Sequence, residues 1–222
     1  MEWVLLVLAG GGAAAWGGLR LRDRLAARRG RAEELAQVVR LCEEDITLLG
    51  EELQRLDAET AKHPLDDAAR LDYQTALDAY ESAQRTVKGI TDVEQISQVT
   101  DTLSSGRYAL ACVQARVAGR PRPEKRVPCF FNPQHGPSVT DVLFTPGGRG
   151  TRRVPACAHD AARVTAGEKP EVRMVVVDGR SVAYYEAGAA MAPYSAGYFV
   201  SASDVQAMFV PEGRRGFRAG GV

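Results

Sequence analysis

The chain has no excess of charge of either sign: its 222 residues carry 28 basic and 28 acidic side chains. That balance excludes a global polyanion-binding surface, and no nucleic acid is expected as a partner. Aromatic residues are scarce, at 7%, but 45% of the residues are hydrophobic, enough to bury the core of one or two domains. Several catalytic signatures are absent. There is no glycine loop followed by Lys-Ser/Thr, no nucleophile elbow and no zinc-protease helix motif, and Ser138 near His135 lacks the third partner of a triad. The run Gly147-Gly148-Arg149-Gly150 precedes a strand rather than a helix, so it reads as a hairpin turn. The sequence therefore gives no ground for an enzyme.

Charge is distributed unevenly along the chain. Residues 1–32 hold six basic and two acidic groups, and residues 33–94 hold six basic and sixteen acidic ones. Trp3 to Leu19 is an uncharged run of Val, Leu, Ala and Gly, followed by Arg20, Arg22, Arg24, Arg28, Arg29 and Arg31. A helix over these 17 residues would span about 26 Å, the short end for crossing a bilayer. With Trp3 and Trp16 near the interfaces and arginines after the run, the pattern predicts a single-pass anchor over 1–21. The N-terminus would be outside, the rest cytoplasmic, and the lipid bilayer itself a partner. A signal peptide would need its positive charge before the run, and a buried Gly/Ala helix is the competing reading. Small residues spaced four apart, Ala13 with Gly17 and Ala14 with Gly18, permit a homodimer through the anchor.

Apolar residues then recur as Leu35, Val39, Cys42, Ile46, Leu49, Leu53 and Leu56, alternating steps of four and three. This heptad seam predicts a long, coiled-coil-like helix over roughly 20–62, broken by Pro64. A second stripe (Leu65, Ala69, Tyr73, Ala76, Tyr80, Ala83, Val87) and a third from Ile96 to Val117 predict helices that fold back antiparallel. Thr91 and Glu94 have capping-box spacing, and Ser105-Gly106 is expected to interrupt the third helix. Cys42 and Cys112 fall on the stripes and read as core thiols.

After a Pro- and charge-rich linker, the composition shifts. Cys129 precedes His135 by six positions, and Cys157-Ala158-His159-Asp160 follows a predicted hairpin of Val139–Thr145 with Thr151–Ala156. Residues 158–166 read as helix. Thiolate, imidazole and carboxylate together suit tetrahedral zinc, making Cys129, His135 and Cys157, with His159 or Asp160 as the fourth donor, a candidate structural Zn²⁺ site. Buried thiols, or a Cys129–Cys157 disulfide if the domain were exported, are the alternatives. A second hairpin is expected around Asp178-Gly179, and the tyrosines beyond it are expected to cover the small sheet.

Loop, hairpin and ligands on the first turn of a helix resemble the order of parts in treble-clef zinc domains, over about residues 127–167. The loop Cys129 to Ser138, the Val154-Pro155-Ala156-Cys157 segment and Tyr184-Tyr185-Glu186-Ala187-Gly188 resemble a family of actinobacterial membrane-associated proteins, a likeness that implies no activity. The expected fold class is α+β: an N-terminal transmembrane helix, an antiparallel helical hairpin or three-helix bundle, and a small C-terminal domain rich in β-hairpins. The expected segments are an anchor (1–21), a helical stalk (22–119), a linker (120–128), a treble-clef-like hairpin domain (129–205) and a disordered tail (206–222). The expected function is a membrane-anchored, non-enzymatic scaffold or adaptor presenting a zinc-stabilised module to a cytoplasmic protein partner. The alternatives are a tethered enzyme using Cys129 and His135, or an exported disulfide-stabilised surface protein. A homodimer through the stalk is also allowed.

Overall fold

The computed structural model describes residues 2–61, 64–146, 150–177 and 179–199, with only the backbone described at 2–19, 21 and 190. The chain divides into two compact units, Met1–Val38 and Val39–Val222. In the first, the backbone belongs to helix α1 (Glu2–Thr60), and the side chains from Arg22 to Arg29 are exposed. The second holds the remainder of α1, then α2 (Asp67–Val87), α3 (Val93–Val117), strands β1 (Thr140–Phe144) and β2 (Arg152–Ala156), α4 (Ala158–Thr165), β3 (Met174–Val177), β4 (Arg180–Ala183) and α5 (Ala192–Tyr198).

The bundle follows the stripes read from the sequence. Cys42, Ile46, Leu49, Leu53 and Leu56 of α1 are buried, as are Ala69, Ala76, Ala83 and Val87 of α2 and Ile96, Val99, Leu103 and Val113 of α3. The Asp66 side chain caps α2 by accepting from the Ala69 N–H at 2.6 Å. At α3 the cap is Asp92, accepting from the Glu94 N–H at 3.0 Å, rather than Thr91. The Thr91 N–H instead donates to the Gln95 side chain at 2.8 Å. Asp57 meets Tyr73, and Gly50 meets the Tyr80 ring, so α1 and α2 run antiparallel. Arg116 of α3 reaches Asp66 and Asp72 at the start of α2, while Gly106 faces Ala79, so α2 and α3 are antiparallel as well. Helix α3 is continuous through Ser105-Gly106. A Cβ at Gly106 would come within 2.9 Å of Ala79 Cβ and 3.2 Å of a Leu49 methyl, so the glycine marks a close crossing instead of a break.

The described chain is mostly helical, with two two-stranded antiparallel sheets, β1–β2 and β3–β4. This corrects the expected α+β class with its transmembrane helix. The second hairpin is shorter than the strands expected over 171–177 and 180–186 on either side of Asp178-Gly179, because Tyr184–Glu186 turns into a 3-10 segment, and α5 takes up aromatics expected only as a covering layer. Helix α5 packs on α3, and Tyr184, Tyr194 and Tyr198 are buried.

Among the described residues no helix is long and apolar enough to cross a membrane. The transmembrane helix and the single-pass inner-membrane placement are therefore withdrawn. The uncharged run is 17 residues and five of them are Gly, short of the roughly 20 predominantly apolar residues that a span needs. The described part of α1 that follows is charged. The side chains of the expected anchor lie largely outside the described residues, and so does the expected disordered tail.

Two contacts set the stability of the second unit. A Cβ on Gly197 of α5 would collide with the Ser97 carbonyl oxygen and with Thr100 Oγ1 of α3. Gly197→Ala is expected to cost about 1–3 kcal/mol, measured by urea unfolding. Asp45 of α1 is fully buried. Its Oδ2 accepts from the hydroxyls of Tyr194 at 2.6 Å and Tyr198 at 2.7 Å. Its Oδ1 accepts from Gln134 Nε2 and from Arg173 at 3.2 Å. Asp45→Ala strands these donors and is expected to destabilise by about 3–5 kcal/mol in the same assay.

Candidate metal centre

The segment from Cys129 to Gly136 is built as a closed loop. The Ser138 N–H donates to the Val127 carbonyl at 2.9 Å and the Cys129 N–H to the Gly136 carbonyl at 3.0 Å, with a Pro128–Pro137 bridge between them. At the tip, the Asn132 side chain accepts from the Gln134 N–H at 3.0 Å and caps the 3-10 turn Pro133–His135. Gly136, at φ 77°, reverses the chain in a conformation that a side chain would strain. The two residues after Cys129 anchor the loop: Phe130 and Phe131 are buried, the Phe130 N–H donates to the Pro155 carbonyl of β2 at 2.8 Å, and the Tyr184 hydroxyl donates to the Phe130 carbonyl at 2.7 Å.

The β1–β2 hairpin delivers the other half. Its second strand ends at Ala156, and Cys157 is the N-cap of α4, with Sγ accepting from the Asp160 N–H at 3.4 Å. The N-cap residue and the third residue of the helix share one corner, so Cys157 and Asp160 point together. His159 does not. Its side chain is 60% exposed, with Nε2 3.9 Å from Glu171 Oε2. The choice left open between His159 and Asp160 thus falls on Asp160.

Cys129, His135, Cys157 and Asp160 form a group that could hold a metal ion, with one donor atom from each and all four within 4.8 Å of one another. Asp160 Oδ2 lies 3.2 Å from Cys129 Sγ, 2.9 Å from His135 Nδ1 and 3.5 Å from Cys157 Sγ, and Cys157 Sγ is 3.6 Å from His135 Nδ1. Around a tetrahedral zinc ion, ordinary bond lengths put sulfur about 3.5 Å from oxygen or nitrogen, and nitrogen about 3.3 Å from oxygen. These four separations stand within a few tenths of an ångström of those edges. Asp160 is fully buried, and its other oxygen, Oδ1, accepts from the Glu171 N–H at 2.8 Å, so one carboxylate oxygen is committed to the backbone and one to the group. All four cysteines of the chain are free thiols, so Cys129 and Cys157 are not joined, and Cys42 and Cys112 are buried in α1 and α3.

The protonation states are set by the same contacts. A hydrogen bond from Cys129 is the largest influence on Cys157, and with His135 it pulls that thiol down to about 5 against the effect of burial. Cys129 is correspondingly raised, by its bond to Cys157 and by burial. Burial acts to raise Asp160, but the Glu171 N–H, Cys129 and His135 hold it below its ordinary value. Burial acts to lower His135, yet Cys157 and Asp160 raise it overall. With Asn132 donating to His135 Nε2 at 3.2 Å, the ring carries its proton on Nδ1, facing Asp160.

No protein-family model, curated protein or solved structure matches the chain. The site therefore rests on its own geometry. Sequence reasoning missed Glu171, which fixes Asp160 through its backbone and stands 3.9 Å from both His135 Nε2 and His159 Nε2. It also missed Asn132, whose position just before a proline in a short loop was the available signal for a cap.

Coordination requires thiolate sulfurs and a free Nδ1 lone pair. A zinc ion added at pH 7 is expected to displace the Cys129 proton, about one per ion, while the neutral His135 ring passes its proton from Nδ1 to Nε2. Titration calorimetry in buffers of different ionisation enthalpy reads this number. Because the Cys157 pKa is depressed, its thiolate is present at neutral pH and is lost as the pH falls through about 5, where binding should weaken steeply.

Proposed function

We propose that the chain is a non-enzymatic adaptor in which a structural zinc ion, held by Cys129, His135, Cys157 and Asp160, staples a small module onto a helical bundle for presentation to a protein partner. The observation that carries this reading is the closure of the donor set. Four side chains bring their donor atoms within 4.8 Å of one another, Cys129 and Asp160 are fully buried, Cys157 is nearly so, and His135 is 18% exposed. Structural zinc sites have four protein ligands, whereas catalytic sites keep one position for water. Two sulfurs and an imidazole favour zinc over calcium or magnesium, which take oxygen shells.

The module also needs such a link. Each of its sheets has only two strands, of four or five residues, and an isolated hairpin of that size is marginal in water. A bound zinc ion couples of the order of 10 kcal/mol of binding free energy to folding. The competing use of Cys129 as a reactive group draws less support, because that sulfur is buried and its thiol is raised.

Native mass spectrometry with elemental analysis tests the reading. One zinc per chain is expected, with a strong chelator lowering the melting temperature. Cys157→Ser and Asp160→Ala should each lose the metal, while His159→Ala should keep it. A chain purified in zinc-containing medium that carries no zinc, and whose melting temperature ignores the chelator, would refute it.

A further inference from the structure

Two cavities open against the outer face of α3 and share a wall. The first, about 240 Å³, reaches from Glu52 and Arg107 to Pro137; the second, about 660 Å³, continues to Arg120 and Glu171. Ala111, Gln114, His135 and Pro137 line both, so the two form one furrow bounded by α3, the C-terminal end of α1 and the loop that carries His135. Its floor is apolar in the larger half, where Ala115, Pro121, Pro123 and Val139 line it, and Val139 is 56% exposed. Two polar groups at the edge have no partner among the described residues: the guanidinium of Arg120 and the side-chain amide of Gln114 are exposed and make no hydrogen bond or ion pair.

Shape and charge both restrict the occupant. Along α3 from Arg107 to Ala115 the furrow runs about 12 Å at 1.5 Å per residue, the length of about four residues of extended chain. A compact small molecule would fill one half and leave the other wet. An extended peptide fills both, with an aliphatic or aromatic side chain on the Val139 and Pro123 surface and its backbone within reach of the Gln114 amide. The unpartnered Arg120 then calls for a carboxylate beside that anchor, since an exposed guanidinium gives up least hydration when it meets one in a paired geometry.

We propose that this furrow is the docking site of the adaptor's protein partner, and that it takes an extended segment of about four residues in which an aliphatic or aromatic residue is followed closely by Asp or Glu. The proposal rests on the adaptor reading above and gives that reading its partner class. His135 belongs to both the donor group and the furrow, and Cys157 lines the larger half, so the metal centre forms part of the wall.

A displayed library of random heptapeptides, panned against the full-length chain after its zinc content has been measured, tests it. Selected sequences should share the apolar–acidic pair. A synthetic peptide carrying the consensus, followed by fluorescence anisotropy, should bind at least tenfold more weakly to Val139→Asp and to Arg120→Glu. Replacing its carboxylate residue by Lys should restore binding to Arg120→Glu. Both substitutions are at exposed positions, and unchanged zinc content and circular dichroism will show that the fold is kept. A zinc-loaded chain that enriches no such consensus, or whose selected peptides bind both variants undiminished, overturns the furrow and leaves the zinc adaptor standing. Enrichment by a chain found to hold no zinc supports the furrow and removes the metal from the adaptor. Concentration-dependent dimerisation abolished by Val139→Asp would assign the surface to a second copy of the chain and overturn the proposal.

Discussion

The second unit is organised around one buried carboxylate. Asp45 sits inside α1, without access to water, and its two oxygens take donors from three separate parts of the chain: two tyrosines of α5, the amide of Gln134 in the loop tip and the guanidinium of Arg173 just before β3. A buried carboxylate is tolerable only when its lone pairs are satisfied. The four donors satisfy Asp45, and meeting that requirement holds α5, the loop and the second hairpin against the helices. Arg107 repeats the pattern with the opposite charge. It is buried in α3 and donates to Glu52 at 2.6 Å, to the Gln134 carbonyl at 3.0 Å and to the Asp45 carbonyl at 3.1 Å.

Gln134 links that network to the candidate metal centre. Its side chain is held by Asp45 and its carbonyl by Arg107, and it is the immediate neighbour of His135. The imidazole is thus set from the bundle side by a polar network, while Cys157 and Asp160 are set from the hairpin side by the cap of α4. Cys129 lies between the two, with its sulfur against Asp160 and its backbone tied to Gly136. The donors converge because two rigid supports fix them independently. Outer contacts of this kind orient metal ligands before any ion arrives.

Much of this could be read from the residues, and the failures have physical causes. The helical stripes were legible because a 3.6-residue period leaves a long record, and Cys42 to Leu56 lie buried where the period puts them. Asp45 was not, because a charged residue beside a heptad seam looks like solvent-facing surface until its partners, 89 to 153 residues away, are placed. The sequence did offer one hint, since Asp45 stands three residues after Cys42 and four before Leu49, on the buried side. The donor group was legible in its residue types, while the choice of Asp160 over His159 needed the cap geometry at Cys157. Helix α5 was hidden because seven residues containing Pro193 and Gly197 carry little helical signal of their own; it forms where tyrosines meet Asp45 and a glycine meets α3. The anchor failed on length, for an uncharged run rich in glycine counts as apolar by the absence of charge more than by real hydrophobicity.

The span between Asp45 and Tyr198 also fixes when the molecule can be finished. The two are 153 residues apart, and they meet in the innermost part of the unit. The three long helices are made first, with Arg107 of α3 beside Asp45 but with neither tyrosine hydroxyl for its Oδ2. The pocket around Asp45 is therefore completed only once α5 is present, and the last of the described helices is the one that closes it.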